Sequence, residues 1–575
     1  MGRNHRLAAL APLVLASCAA GAARADDPEA PRPLPPLTAQ SGLPRAPEQR
    51  AVAFEHADLA FRVDPGRQWL DGDATLTFRV LQPLRRLVVD LDPDYAIATV
   101  QVDGADLPRG AWSNPKGRMS VDLPGEVGEG AKVALRIVYA GHPHVATKAP
   151  WDGGFVWATA PTGEPWIASA IQGEGCDLLY PCIDHPKGEP AQVDEAITVP
   201  APLVAPGNGR FLGMDEHDGW RTYRWRARSP DTYAIAIQAG PYELLSAEYE
   251  SRYGNTIPLR FWHLRGNAAK AEGLFAEFPK LLDFFESTIG PYPFADEKMG
   301  VVETPHLGME HQTVNAYGNG YKLTEYGYDW LLQHEFAHEW FGNQLTNRDW
   351  DDMWLHEGFG SYMQPLYLQW LRGDREYQAW LLFQRKTLQN QVPIVSGRSM
   401  TEDAVYNGET GPGNDIYYKG SLLLHTLRQL VGDEAFFRAT RELVYGRPDP
   451  APGNFAPRYA GTRDFIEAVN RATGGDYGWF FDAYVYSAAL PELVATRDAG
   501  GLALQWKAPG GKPFPMPVEV RVDGRDTTLP MADGRGRIEL PAHGTYTIDP
   551  HSKLLRKLPH IDAFQAWTQA QQAAP

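Results

Sequence analysis

The 575-residue chain carries 54 Lys and Arg against 71 Asp and Glu, for a formal net charge of −17 at pH 7. Because binding to a phosphate backbone requires clustered basic side chains, this balance argues against nucleic acid as a partner. Hydrophobic residues make up 43% and charged residues 22% of the chain. That composition is ordinary for a soluble globular protein, and the length predicts about three to four domains.

The N-terminal residues 1–25 have the features of an export signal. Arg3 and Arg6 precede an apolar stretch that is too short to span a bilayer. Ala23-Arg24-Ala25 satisfies the small-x-small rule for signal cleavage. Leu15-Ala16-Ser17-Cys18 instead resembles a bacterial lipobox, in which the cysteine becomes lipidated. We therefore expect an exported protein without a transmembrane helix, either periplasmic, secreted, or held on a membrane by a lipid anchor at Cys18.

Two segments follow the export signal. Residues 26–48 contain seven prolines and few large apolar side chains, which predicts an extended linker. Residues 49–245 then show apolar residues at every second position, with Val133, Leu135 and Ile137 as an example. This period is typical of strands with one buried face, so we predict a β-rich N-terminal domain.

The pattern changes twice more along the chain. Residues 246–490 show apolar residues at helical spacing, which predicts a second domain of mixed helical structure. Strand-like alternation returns in residues 491–558, where Asp523-Gly524 is typical of a tight hairpin turn. Residues 559–575 are polar and predict a tail. The fold class expected from these segments is multidomain α+β.

The cysteines left after processing are Cys176 and Cys182. An exported pair with this spacing is compatible with a disulfide that closes a small loop. Two buried free thiols are an equally open interpretation, because only the geometry decides whether the sulfur atoms can meet.

The central motif is His334-Glu335-Phe336-Ala337-His338, an H-E-x-x-H sequence within a stretch of helical spacing. Positions i and i+4 share one helix face, so both histidines can bind one metal ion, and Glu335 can act as a general base on water. Glu357 follows His338 after 18 intervening residues. Two His and one Glu form a catalytic zinc set that leaves one coordination position open. We therefore predict one zinc ion per chain, held by His334, His338 and Glu357.

These segments resemble the zinc aminopeptidases of the alanyl aminopeptidase and leukotriene hydrolase family, which are gluzincin metallopeptidases. Three other segments resemble the family's motifs in the same order along the chain: Gln172-Gly173-Glu174 its substrate-pocket segment, Gly308-Met309-Glu310-His311 its G-x-M-E-N exopeptidase motif, and Tyr417-Tyr418-Lys419-Gly420 its Y-x-K-G motif. The resemblance covers roughly residues 50–557. It implies a β-rich N-terminal domain, a thermolysin-like catalytic domain and a short C-terminal β-sandwich.

The sequence departs from the family pattern at several positions. The first glycine of the exopeptidase motif is Leu307 and its asparagine is His311. Glu339 follows the second zinc histidine where the family often has Gln, and His356 precedes the zinc glutamate where it often has Asn. An arginine that usually follows the pocket segment is missing, and the chain ends where many relatives continue into a large helical domain. These departures leave the preferred residue and the length of the substrate open.

The resemblance also implies roles for individual side chains in catalysis. Glu335 is expected to be the general base. Tyr417 is expected to donate a hydrogen bond to the oxyanion of the tetrahedral intermediate, with Tyr418 as the competing candidate.

Substrate binding is assigned in the same way. Glu310 is expected to pair with the free α-amine of the substrate, with Glu174 as a second carboxylate and Gln172 as part of the pocket wall. The predicted activity is that of a zinc-dependent aminopeptidase acting on peptides with a free N-terminus. A zinc endopeptidase, an epoxide hydrolase on the same site and an inactive peptide-binding module remain open alternatives.

Overall fold

The computed structural model describes residues 33–541 and 543–572. The predicted export signal, its cleavage site and Cys18 lie outside these residues. Within the two described ranges, no helix combines the length and the apolar character needed to cross a membrane.

The N-terminal part consists mainly of strands, with the short helix α1 (Pro47–Arg50) and a few 3-10 turns. Its strands are β1 (Val52–Asp64), β2 (Trp69–Val80), β3 (Leu84–Asp90), β4 (Ala96–Val102), β5 (Ala105–Asp106), β6 (Trp112–Ser113), β7 (Arg118–Val127), β8 (Lys132–Gly141), β9 (Gly154–Thr159), β10 (Pro165–Ala170), β11 (Gln192–Pro200), β12 (Arg210–His217), β13 (Trp220–Arg228) and β14 (Gln238–Ala239). Eight of them form one sheet in the order β12-β13-β11-β1-β2-β8-β4-β5. Smaller sheets, β3-β7-β6 and β14-β10-β9, complete this part.

The period-two pattern of the sequence has the expected cause. In β8, Val133, Leu135 and Ile137 are fully buried, and the residues between them face outward. One face of the large sheet thus packs on the core, and β8, which pairs antiparallel with β2 and β4, shows the alternation that such packing produces.

The second part begins with a mixed sheet and continues as a group of helices. Its elements are β15 (Tyr242–Glu250), β16 (Thr256–Leu264), α2 (Ala268–Phe275), α3 (Phe278–Thr288), β17 (Met299–Glu303), β18 (Gly308–Met309), β19 (Asn315–Tyr317), α4 (Trp330–His338), β20 (Leu345–Asn347), α5 (Trp354–Arg372), α6 (Asp374–Thr387), α7 (Glu402–Tyr406), α8 (Asp415–Val431), α9 (Asp433–Tyr445), β21 (Arg458–Ala460), α10 (Thr462–Thr473) and α11 (Gly478–Tyr484). The sheet has the order β15-β16-β17-β19-β18. It therefore begins at Tyr242, slightly before the predicted start of the second domain.

The C-terminal part contains two three-stranded sheets, β22-β23-β26 and β25-β24-β27. Its strands are β22 (Glu492–Asp498), β23 (Gly501–Lys507), β24 (Val518–Val522), β25 (Arg525–Leu529), β26 (Arg535–Ile538) and β27 (Tyr546–Ile548). Asp523 and Gly524 form the hairpin turn between β24 and β25, both with positive φ angles of 47° and 81°. The predicted fold class, a β-rich part followed by a helical catalytic part, is confirmed.

Two predictions about the ends of the chain need correction. The expected tail continues as helix α12 (Pro559–Gln572), which Gln565 ties to α6 by donating hydrogen bonds to the carbonyls of Lys386 and Leu388. The described part of the expected linker, residues 33–48, is not a free extended segment. Ser41 is buried, its hydroxyl donates to Asp184 over 3.0 Å, and its backbone pairs with other segments of the protein. These hydrogen bonds hold the segment against the folded body despite its many prolines.

Candidate active site

The three predicted metal ligands meet between α4 and α5. The Nε2 atoms of His334 and His338 lie 3.1 Å apart, and Glu357 Oε2 lies 3.6 Å and 3.5 Å from them. A tetrahedral zinc ion with bonds of 2.0–2.1 Å places its ligand atoms about 3.3 Å from one another. The three side chains therefore already have the spacing that a single zinc ion requires.

The electrostatics of this set also fit a cation. Burial alone would raise the pKa of Glu357, but the nearby His338 and His334 lower it to about 2, so this carboxylate is ionised. Burial lowers the pKa of His334 to about 3, which keeps its ring nitrogen free to bind a metal. Burial acts on His338 in the same sense, but the carboxylates of Glu310 and Glu357 outweigh it and raise its pKa to about 10. The site thus attracts positive charge.

Neighbouring groups fix the orientation of the ligands. His338 Nδ1 lies 3.0 Å from the carbonyl oxygen of Phe341, which leaves Nε2 directed at the metal position. Tyr406, the last residue of α7, donates a hydrogen bond of 2.7 Å to Glu357 Oε1. The other oxygen, Glu357 Oε2, is buried and has no hydrogen-bond partner within the described part of the chain. A metal ion held by the two histidines would give this oxygen a partner.

Local sequence explains how α4 is set in place. Asp329 caps its N-terminus by accepting hydrogen bonds from the backbone N–H groups of Leu331 and Leu332. A Cβ on Gly360 of α5 would lie 3.4 Å from the Cε1 atoms of both His334 and His338. The backbone of α5 at this position therefore packs directly against the two histidine rings.

Glu335 lies on α4 between the two histidines and is 5% exposed. Its Oε2 atom is buried and unpaired among the residues that the structure describes. Burial, and then the carboxylate of Glu310, raise its pKa above the usual range. A Cβ on Gly308 would lie 2.5 Å from Glu335 Oε1, so this glycine of the predicted exopeptidase motif makes room for the carboxylate. A carboxyl group with a raised pKa suits the exchange of protons near neutral pH.

The two candidate tyrosines of α8 have different surroundings. The ring of Tyr417 lies 6.4 Å from that of His334, and its pKa is raised by burial and by the charge of Glu357. The ring of Tyr418 packs against Phe383 at 6.1 Å, and burial is what raises its pKa. The geometry therefore favours Tyr417 over Tyr418 as the hydroxyl that reaches the metal position.

The predicted amine-binding residue Glu310 is buried beside the same site. Its Oε1 atom accepts hydrogen bonds from Tyr233 over 2.8 Å and from Gln172 over 3.1 Å. The amide of Gln172, the residue predicted as part of the pocket wall, thus contacts and orients the Glu310 carboxylate. Burial raises the pKa of Glu310, while the nearby His338 lowers it.

Glu174 contacts the segment before β9. Its Oε2 atom accepts a hydrogen bond from the backbone N–H of Gly153. Burial raises its pKa to about 7, with a further contribution from the charges of Asp152 and Asp403. The cysteines that follow Glu174, Cys176 and Cys182, are joined by a disulfide. The alternative of two free thiols, which the sequence left open, is therefore not the one seen.

The substituted family positions serve as structural anchors. Glu339 accepts hydrogen bonds from the N–H of Thr313 over 2.8 Å and from the Asn315 amide over 2.7 Å. His356 accepts one from the N–H of Asn347 over 3.0 Å. These contacts tie the ends of α4 and α5 to neighbouring strands. His311 pairs with the Gln238 side chain at 2.9 Å and lies outside the metal set.

Sequence reasoning missed the two tyrosines, Tyr406 and Tyr233, whose hydroxyls contact Glu357 and Glu310. Neither stands within a short motif around the carboxylate that it contacts. A tyrosine is a common core residue, so composition and spacing carry no signal for these roles.

Comparisons with known proteins agree with this geometry. Residues 280–484 match the peptidase family M1 domain. A leukotriene A-4 hydrolase of Xenopus laevis is 26% identical over 405 residues, which cover 67% of this chain and 63% of the relative. An aminopeptidase N of Streptomyces lividans is 26% identical over 360 residues, which cover 56% of this chain and 40% of the relative. The chain thus spans less than two thirds of the length of these relatives.

A solved structure covers more of the fold. It is a Glu-to-Ala mutant of the M1 zinc metallopeptidase of Deinococcus radiodurans, bound to a Tyr-Ser-Ala substrate. It is similar with a TM-score of 0.66 and 27% sequence identity, covering 79% of this chain and 98% of that one. The present chain therefore carries a peptidase family M1 domain, in the fold shared by M1 zinc metallopeptidases.

Proposed function

We propose that this protein is a zinc-dependent aminopeptidase, which removes the N-terminal residue from peptides. The observation that carries the proposal is the buried carboxylate of Glu310, oriented by Tyr233 and Gln172 beside the metal-binding set. A Cβ on Gly342 would lie 3.5 Å from His338 Cβ and 3.9 Å from Glu310 Cγ, so Glu310 lies close to the metal ligand His338. A carboxylate at this place can bind a substrate ammonium group about one residue from the bond that is cut.

The chemistry follows from the side chains around the peptide carbonyl. Zinc, when held by His334, His338 and Glu357, supplies a Lewis acid that polarises the carbonyl and acidifies water. Glu335 removes a proton from the attacking water and passes it to the leaving amine. Tyr417 donates a hydrogen bond to the oxygen that becomes negatively charged in the transition state.

The amine-binding carboxylates distinguish this proposal from an endopeptidase. An aminopeptidase must recognise a free N-terminus, and the ammonium group is the feature that an internal peptide bond lacks. Glu310 supplies one carboxylate for it, and Glu174 supplies a second from the N-terminal part. An epoxide hydrolase would not require an amine-binding carboxylate, and an inactive binding module would not require Glu335 and Tyr417 beside the ligands.

The test compares free and N-acetylated peptides on the purified protein, with and without a chelator. Each buried charged hydrogen bond contributes roughly 1.5–3 kcal/mol, so we expect acetylated peptides to be cleaved at least about a hundredfold more slowly. Glu310→Gln keeps the shape of the side chain and should narrow this gap by slowing the free peptide. Equal cleavage of both peptides at internal bonds would replace this proposal with the endopeptidase alternative.

We also propose that the protein is exported. The basic and apolar N-terminal sequence supports this location, and the Cys176–Cys182 disulfide is typical of an oxidising compartment. The mature N-terminus decides between cleavage after Ala25 and lipidation at Cys18.

A further inference from the structure

Helix α7 carries a further carboxylate, that of Glu402, on the side of the candidate active site. Glu402 and Tyr406 are the first and last residues of this helix, so they stand at positions i and i+4, which share one face. Tyr406 uses this face to contact Glu357 over 2.7 Å. Glu402 therefore lies one helical turn from a group that contacts the metal ligands, on the same side of α7.

The opposite neighbour of Glu402 is the segment that carries Gln172 and Glu174. Ser41 joins the two, because its N–H donates to the carbonyl of Gly173 over 3.2 Å and its carbonyl accepts from the N–H of Glu402 over 3.1 Å. A Cβ on Gly173 would lie 3.8 Å from Glu402 Oε2. The Glu402 carboxylate thus faces the substrate-pocket segment across a position that has no side chain.

The charged groups that act on Glu402 are other carboxylates. Burial, and then the carboxylates of Glu174, Asp403 and Glu357, raise its pKa to about 8. Over the described ranges of the chain, its carboxylate has no hydrogen bond or ion pair. Glu310, by contrast, is already oriented by Tyr233 and Gln172. A carboxylate held close to other carboxylates is stabilised when a cation approaches it.

A substrate with a neutral first residue brings one ammonium group, which Glu310 and Glu174 can bind. Glu402 is not needed to bind that ammonium group, but it lies beside the segment that carries Glu174. We propose that Glu402 selects peptides whose first residue has a cationic side chain, arginine or lysine. The proposal rests on the aminopeptidase function proposed above and assigns its substrate class. The long apolar stem of either side chain would allow the charge to extend past Glu174 to Glu402.

The test uses two substrates of almost equal shape, an arginyl amide and a citrullinyl amide, which differ in the side-chain charge. We expect the unmodified protein to favour the arginyl substrate in kcat/KM by at least about tenfold, the factor that 1.4 kcal/mol represents. Glu402→Gln should bring this preference to within about threefold, while hydrolysis of the citrullinyl and methionyl substrates stays unchanged. The matched control is Asp403→Asn, which removes a charge from the exposed neighbour on the same helix and should keep most of the preference.

The outcomes separate the two proposals. Leucyl and methionyl amides test the aminopeptidase function without involving Glu402. If they are hydrolysed but arginine is not preferred over citrulline, or if Glu402→Gln slows all substrates equally, the specificity proposal is overturned. If no aminoacyl amide is hydrolysed, the proposed function fails. Calorimetric binding of L-arginine and L-citrulline to the zinc-loaded protein then still tests Glu402. Arginine should bind more tightly only when Glu402 is present, and equal binding of both ligands refutes the assignment.

Discussion

The hydrogen bond from Tyr406 to Glu357 gives a sharp test of how the metal is held. Glu357 is 4% exposed, and its Oε1 atom accepts this bond over 2.7 Å while its Oε2 atom faces the histidine nitrogens. Tyr406→Phe removes the hydroxyl and leaves the ring in place. The carboxylate then loses the contact that fixes its rotation, and one buried oxygen remains without a donor.

The expected magnitude follows from the kind of bond. A hydrogen bond to a charged group contributes roughly 1.5–3 kcal/mol, and removing an outer partner of a metal ligand typically costs about 10–100-fold in metal affinity. We expect Tyr406→Phe to weaken zinc binding within this range. The ligands themselves remain, so the variant should still bind about one zinc per chain at saturation.

The measurement is a competition titration for zinc against a chelator of known affinity. Tyr418→Phe is the matched control, because it removes a hydroxyl from a half-buried tyrosine whose ring packs against Phe383. Its zinc affinity should equal that of the unmodified protein. An unchanged zinc affinity in Tyr406→Phe would refute the assignment of this tyrosine as an orienting partner of Glu357.

The remaining predictions concern the base, the oxyanion donor, a buried acid and export. Glu335→Gln should lower kcat at least about a hundredfold with zinc content unchanged, since it removes the general base; substantial residual turnover would contradict that role. Tyr417→Phe should lower kcat more than it raises KM, and Tyr418→Phe should do neither; the reverse result would exchange their roles. Burial raises the pKa of Asp184 to about 8, so its contribution to stability is present below its unfolded pKa of about 4 and is lost as pH rises toward 8. The slope of the unfolding free energy is at most about 1.4 kcal/mol per pH unit. The melting temperature of Asp184→Asn should therefore fall less over this pH range than that of the unmodified protein, and an identical pH profile would exclude this cause. Mass spectrometry of the mature protein should find a lipid at Cys18 or an N-terminus after Ala25, and a retained Met1 would contradict export.

The metal-binding set could be predicted from the sequence because its information is local. The spacing of His334 and His338 fixes one helix face, and Glu357 follows in a short segment that also has helical character. The alternation of apolar and polar residues likewise predicted the strands of the N-terminal part, since β8 buries every second residue. Such patterns survive in any one sequence because the backbone geometry imposes them.

The contacts that orient these residues could not be predicted in this way. Tyr406 stands 49 residues from Glu357, and Tyr233 stands 77 residues from Glu310. Such pairs meet because the chain folds back on itself, and no period or motif relates their positions. The packing of residues 33–48 against the folded body could not be predicted for the same reason. Ser41 is held there by backbone hydrogen bonds to Gly173 and Glu402, which belong to distant segments.

The Y-x-K-G segment shows how one short motif combines chemistry with packing. A Cβ on Gly420 would lie 2.8 Å from the Cα of Gly358, the residue that follows the metal ligand Glu357. The two glycines let α8 approach α5 backbone to backbone, and this approach brings Tyr417 beside the metal set. Lys419 is buried and donates hydrogen bonds of 2.8 Å to the carbonyls of Ser487 and Ala488, which ties α8 to the loop after α11. In the proposed mechanism the tyrosine supplies the hydrogen-bond donor, while the lysine and the glycine fix the position of its helix.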